Sequence, residues 1–251
     1  MTASFPGSIK SFGSDRVNGD YVQADDTNSL RAEVVALETA ALDGGWIGAG
    51  VTWTYASATT ITMPGNTTAI YTKGTRLKYT QSSTTKYQVV VSSAYDGLTP
   101  GTTTVIIIVT TTHPLVIGTI TANYYSNLDN PRGFPTWLQY SATLTGFSVN
   151  PTSVSKFNVS GDKITLIHAE TSDGTSNTNS LIVSLPVAAS AGSSTTVVAV
   201  PYARDNGVYI LDASGTILAS ATSIYFRTAL FATGWTPSGA KRVNFEVIYE
   251  W

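Results

Sequence analysis

The chain contains no cysteine. That absence removes disulfides, thiolate metal sites and cysteine nucleophiles together, so cohesion must come from packing, hydrogen bonds or oligomerisation. Charge is sparse too: 12% of the 251 residues are charged and the formal net charge is −2. Such a balance offers no electrostatic footprint for a phosphate backbone, which makes nucleic acid and anionic membrane poor partners. No apolar run approaches the length that crosses a bilayer, and the opening MTASFPGSIKSFG lacks the charged and apolar regions of a secretory signal. The expectation is a product made in the cytoplasm, without membrane insertion.

Histidine is almost missing as well. His113 and His168 are the only two, and neither has a second histidine at ligand spacing, so a satisfied strand or turn histidine is the favoured reading. No G-x-S-x-G nucleophile elbow occurs. Asp129 and Asn130, and Asp173 with Gly174, Asn177 and Asn179, fall short of any EF-hand or repeat-type calcium loop. No metal and no cofactor is expected. A carboxylate pair could still hydrolyse a glycan without leaving a local signature, with Asp162, Glu170, Asp173, Asp205, Asp212 and Glu246 as candidates. The contexts SGDK and RDNG are ordinary turn sequences, and no short solenoid repeat is visible. The reading is therefore non-enzymatic, with a glycan hydrolase as the alternative.

What the chain does have is Thr, Ser, Gly, Val and Tyr, the composition of strands joined by short polar turns. Residues 1–26 show no period and read as an extended arm, with Phe5, Pro6, Phe12 and Tyr21 set among Gly, Ser, Asp and Asn. Residues 27–45 hold the single amphipathic helix. Asp26 or Thr27 caps it, Leu30, Val34, Leu37 and Ala41 form its apolar seam, and Gly44 and Gly45 stop it. At about four turns it is too short to stand alone in water. It must bury its seam against its own β-region or against copies of itself, and spacing does not choose, because Val35 and Leu42 widen the apolar face.

A first β-region over 46–126 reads as a small barrel or sandwich, with candidate strands at 51–55, 59–63, 75–80, 86–92 and 103–111. The run Val105 to Val109 is apolar on both faces and predicts a central strand. The stretch 127–137, with two prolines and a glycine, is the expected linker. Eight candidate strands follow over 138–251, at 138–149, 153–160, 162–170, 179–187, 195–203, 207–213, 223–229 and 241–251. They fit a jelly-roll β-sandwich. In the last of them Val243, Phe245, Val247 and Tyr249 share one face, and a strand ending on Trp251 suggests an end tied into the sheet. The expected fold class is thus mainly β: a short N-terminal helix, a small β-barrel or sandwich, and a C-terminal jelly roll.

Three stretches carry a resemblance. FPGSIKSFGSDRVNGDYVQADDTNSLRAEVVALETAAL has a Phe-Pro near its start, a Gly-Asp-x-Val core, an Asn before the helix and a Glu-x-x-Ala-Leu-Glu helix. The middle stretch is marked by Trp53, Tyr55, Tyr71, Lys73, Gly74, Tyr79, Gln81 and Tyr87. The third is NPRGFPTW leading into YSATLTGFSVNPTSVSKFNVSGDKITLIHAE. In this order they resemble the virion appendage proteins of tailed bacteriophages, tail or head fibres and receptor-binding proteins.

The resemblance implies a homotrimeric virion protein that is assembled in the host cytoplasm. Its arm, with Phe5, Pro6, Phe12 and Tyr21, would anchor on other virion proteins. Its helix seam would register three chains, and its C-terminal jelly roll would face the host or the solvent. A capsid decoration protein without a receptor role is the structural alternative. Sugar recognition places an aromatic face under the ring with polar groups at its rim. Trp235, Tyr202, Arg204, Asp205 and Asn206 are of the right kinds in loop contexts, and they are the candidate contacts for a host surface polysaccharide. A loop-closing, packed Trp235 is the competing reading for that residue.

Overall fold

The computed structural model describes residues 44–229 and 234–251, together with positions 28, 30–35 and 38 of a short helix. The arm residues Phe5, Pro6, Phe12 and Tyr21, and the seam residues Leu37 and Ala41, lie outside the described residues.

The expected end of the helix before Gly44 and Gly45 lies outside the described residues. Both glycines have positive φ, +67° and +88°, and a Cβ on either would press to within 2.4 Å of Arg132 or Leu128. Only glycine satisfies both demands. Seven strands then follow: β1 (Ile47–Gly48), β2 (Thr54–Ser57), β3 (Thr60–Pro64), β4 (Arg76–Gln81), β5 (Thr84–Tyr95), β6 (Thr102–Ile107) and β7 (Thr121–Ser126). They form one antiparallel sheet in the order β1-β7-β4-β5-β6-β3-β2. The first half of β5 pairs with β4 and its second half with β6, the latter register shifting between Val90 and Ser92.

Adjacent residues of this sheet serve different cores. Val90 and Ile107 pack with Trp53, Ile61, Met63, Tyr71, Leu77, Tyr79, Val105 and Tyr125. Their chain neighbours Val89 and Ile108 point the other way, into the core of the C-terminal half. Two-sided burial explains why VVV and VIII sit where half-buried strands would alternate. The expectation that β6 is central holds, since β5 and β3 flank it, but the strand ends at Ile107, its outer face is open at Ile106, and Val109 beyond its end is exposed.

Thirteen further strands are formed beyond residue 137: β8 (Leu138–Tyr140), β9 (Leu144–Thr145), β10 (Phe147–Val149), β11 (Ser153–Ser160), β12 (Lys163–Glu170), β13 (Gly174–Ser176), β14 (Ile182–Ser184), β15 (Thr196–Ala199), β16 (Tyr202–Asp205), β17 (Val208–Ile210), β18 (Ser214–Ile217), β19 (Ser223–Arg227) and β20 (Ala240–Glu250). One sheet runs β10-β13-β20-β12-β11-β8, with β16 also paired to β20 and β17 to β16. The other runs β15-β18-β19-β14-β9. Both contribute to a single core that includes Phe157, Leu166, Phe245 and Val247 from the first and Val183, Val198, Ile217 and Ile224 from the second. The fold is mainly β with one short helix and several sheets, and among the described residues no sheet closes into a barrel or a sandwich.

Two of the expected strands are corrected. Residues 138–149 form three strands in two sheets, because Gly146 turns the chain at φ +111° where a Cβ would lie 2.1 Å from the Ser180 carbonyl. Residues 195–203 break before Pro201, which cannot donate to a ladder, and β15 and β16 go to different sheets. The last strand matches its pattern: Val243, Phe245, Val247 and Tyr249 are buried, and Trp251 donates from its backbone to Asp162 and from its indole to Gly161.

The first core carries an alkaline liability. Trp53, Tyr71, Tyr79 and Tyr125 meet edge-on at 5.7–5.9 Å, and Trp53 Nε1 donates to the Tyr71 hydroxyl at 3.2 Å. Burial pushes the Tyr71 and Tyr79 hydroxyls up from 10.0 to about 12. The unfolded chain therefore loses these protons first, so stability is complete below pH 10 and falls as pH rises from 10 towards 12. Each tyrosine accounts for about 3 kcal/mol of that loss. Tyrosinate absorbance and far-UV circular dichroism should change together in this window, and Tyr79→Phe should move the transition upward.

Candidate functional site

The five candidate ligand residues are placed around one hairpin, and most of them hold the fold. β16 and β17 are joined by Asn206 and Gly207, at φ +48° and +81°, a two-residue turn with both centres left-handed. Arg204 donates Nε to the Gly207 carbonyl at 3.0 Å and Nη1 to Asp173. Tyr202 packs edge-on against Tyr209 at 5.5 Å, with the Arg242 guanidinium 4.9 Å above its ring. The hydrogen bond with Tyr209 holds the Tyr202 hydroxyl above its ordinary value.

Two assignments are corrected. Asp205 is buried and accepts from both the backbone N–H and the hydroxyl of Thr236, each at 2.9 Å. Trp235 is a core side chain, 1% exposed, whose indole N–H donates to the Phe226 carbonyl at 3.0 Å. The loop-closing reading of Trp235 is the one that applies, because a ring already packed on both faces has none left for a sugar. Of the five, Tyr202, Arg204 and Asn206 stay near the surface.

A second constellation crosses four strands of the first C-terminal sheet. Tyr140, Ser155, His168 and Phe245 are register partners across β8, β11, β12 and β20. Ser155 Oγ lies 2.7 Å from His168 Nδ1, and His168 Nε2 lies 3.2 Å from Glu170 Oε1. The tautomer with its proton on Nε2 donates to a Glu170 carboxylate and accepts the Ser155 hydroxyl proton at Nδ1. Glu170 Oε2 accepts the Val243 N–H at 2.8 Å. The order hydroxyl, imidazole, carboxylate is that of a nucleophilic relay. Here, however, Ser155, His168 and Glu170 are all buried and face the core, and the imidazole stacks on Phe245 at 5.3 Å. Its partners are satisfied internally, so it pins three strands together. Inward positions in two adjacent strands were the sequence signal that could have found it. Among the described residues no group of three or more His, Asp or Glu is placed to hold a metal.

A groove lies elsewhere. The outward face of β15, β18, β19 and β14 lines a groove of about 740 Å³, within the range of small-ligand sites. Val197, Thr216, Tyr225 and Ile182 form one cross-strand row along it, and Ser214 and Arg227 a second. Asn179, Ser180, Thr195 and Leu218 complete much of the wall. Tyr225 is 51% exposed. None of these residues stands out as a ligand contact in the sequence, where Ser214–Ile217 carries no strand pattern that would align its neighbours. Comparison with protein-family models, with curated proteins and with solved structures finds no match.

Replacing Trp235 by alanine should behave as a core truncation. It should cost about 3–5 kcal/mol in denaturant unfolding, whereas Tyr209→Ala, at a 63% exposed position, should stay within about 1 kcal/mol. Equal, small losses for the two variants would remove Trp235 from the core.

Proposed function

We propose that this chain is a non-enzymatic virion structural protein of the tailed-phage type: a short homotrimeric fibre. The arm over 1–26 anchors it to other virion proteins, and the half over 138–251 is displayed for attachment to host surface polysaccharide. In this reading 27–45 is the trimerising helix, 46–126 a small β-domain, 127–137 the connection, and 138–251 a jelly roll. The jelly-roll reading draws on the two C-terminal sheets that face one core.

The observation that carries the proposal is the helix seam. Leu30 and Val34 are 55% and 45% exposed in the single chain. Between the two burial sites that spacing allowed, the sheet of the same chain does not cover them, which favours copies of the chain. A four-turn helix gains its stability from packing of that face and not from propensity. Two heptads of seam suffice to set register between chains that also touch through their β-regions, although they cannot make a long stalk.

Light scattering on the full chain should return three times the chain mass. The double change Leu30→Asp and Val34→Asp should shift the assembly towards monomer at micromolar concentration while leaving the β-sheet circular dichroism unchanged. A wild-type chain that stays monomeric overturns the fibre reading.

A further inference from the structure

We propose that the groove on the outer face of the five-stranded sheet binds an acidic saccharide, with the Tyr225 ring as the platform under a sugar and the Arg227 guanidinium as the partner of a sugar carboxylate. The inference deepens the attachment role proposed above and rests on it for the biological source of the ligand. The chemistry of the groove stands on its own residues.

Shape comes first. A groove of about 740 Å³ that is open along one side fits a short run of pyranose rings and not a buried metabolite. Its floor is a sheet, so the side chains stand at fixed spacings. Val197, Thr216, Tyr225 and Ile182 are direct cross-strand partners, and Ser214 and Arg227 are paired one row along. A site built on paired strands holds its geometry before the ligand arrives.

The lining then selects the ligand. Tyr225, Val197 and Leu218 are exposed and apolar, the surface that the C–H face of a pyranose covers. Ser180, Ser214, Thr195, Thr216 and Asn179 surround them with hydroxyls and an amide, donors and acceptors of the kind sugar hydroxyls use. Among the described residues Arg227 is the one charged residue lining the groove, and no carboxylate faces it there. Among the described residues its guanidinium has no ion-pair or hydrogen-bond partner. By contrast, Arg204 is already engaged by Asp173. An unpaired guanidinium beside an aromatic and a ring of hydroxyls is matched by a carboxylate on a sugar, since its planar fork takes carboxylate oxygens two at a time.

The test uses the full chain and two probes of equal length, trigalacturonate and maltotriose, titrated by calorimetry at low salt and followed by saturation-transfer NMR. The expected result is binding of the acidic trisaccharide that weakens with added salt, with maltotriose at least about tenfold weaker. Tyr225→Ala and Arg227→Gln should each lose about tenfold for trigalacturonate, while Tyr225→Phe retains it. Both positions are exposed, and unchanged thermal unfolding of the variants verifies the fold. Equal affinity for the two probes overturns the carboxylate assignment, and binding of neither, or binding indifferent to Tyr225 and Arg227, overturns the site. Light scattering on the same samples keeps the readings apart. A trimer that fails these titrations loses the groove but not the fibre, and a monomer that passes them loses the fibre but not the groove.

Discussion

A lysine ammonium without access to solvent clips the two C-terminal sheets together. Lys241 on β20 is fully buried, and its Nζ donates to the carbonyls of Thr178 and Ser180 at 2.9 Å and of Gly146 at 3.3 Å. Gly146 is the hinge between β9 and β10, which belong to different sheets, and Ser180 lies just before β14. The rings of Phe147 and Trp235 lie 5.7 Å from the ammonium. Burial draws the Lys241 proton affinity down, and the charge of Asp205, its register partner on β16, works against that. A buried charge is tolerable only when its donors are used and an opposite charge is near. Asp205 is therefore the counter-charge of this clip as well as the acceptor for Thr236, which explains why a residue of ligand type is turned inward.

The same device recurs where the two halves of the chain meet. Arg76 on β4 is buried and donates to the carbonyls of Gly74 at 2.7 Å, Asp129 at 3.1 Å and Val159 on β11 at 2.6 Å, with the Phe134 ring 5.4 Å away. Trp46 Nε1 donates to the Arg132 carbonyl at 2.8 Å, and Lys73 reaches the carbonyl of Trp251. Turns and connections leave carbonyls that no ladder satisfies, and a buried carbonyl must find a donor. In a chain so poor in charge, cations are placed where they can serve several such carbonyls at once. The stretch 127–137 reads from its prolines as a free linker. Once folded, it is held from both sides.

How much of this is legible in the sequence follows from how local each cause is. The Asn206–Gly207 turn and the alternation along β20 depend on neighbours in the chain, and they match. The break at Gly146 depends on the Ser180 carbonyl, and the splitting of 195–203 on which sheet each piece joins, so pattern alone ran them together. Apolar runs such as Val105 to Val109 announced a central strand but not that Ile107 and Ile108 face different cores. The candidate site was the least legible part. Asp205, Lys241 and Glu170 take their roles from partners 31, 95 and 73 residues away, and polar residue type says nothing about whether a side chain is already spoken for.

The same criterion separates the two surfaces that could meet a ligand. Around the β16–β17 hairpin, Arg204 is committed to Asp173 and Gly207, Arg242 to the Glu170 carbonyl, and Tyr202 to Tyr209. A ligand there would have to displace contacts of comparable strength, and each bond gained would be offset by one lost. Across the five-stranded sheet the demands of folding are met on the inner face, where Val183, Val198, Ile217 and Ile224 enter the core. The outer positions need only β-compatible side chains, which threonine and serine supply at Thr216 and Ser214. Single exposed apolar residues are ordinary. Tyr225, Val197 and Leu218, however, line one groove together with Arg227, which is unpaired among the described residues, and it is this contiguity that packing does not require. Sites held on paired strands also repeat identically in every copy of a chain. In a trimer, three weak saccharide contacts would add in avidity without any further residue at the groove.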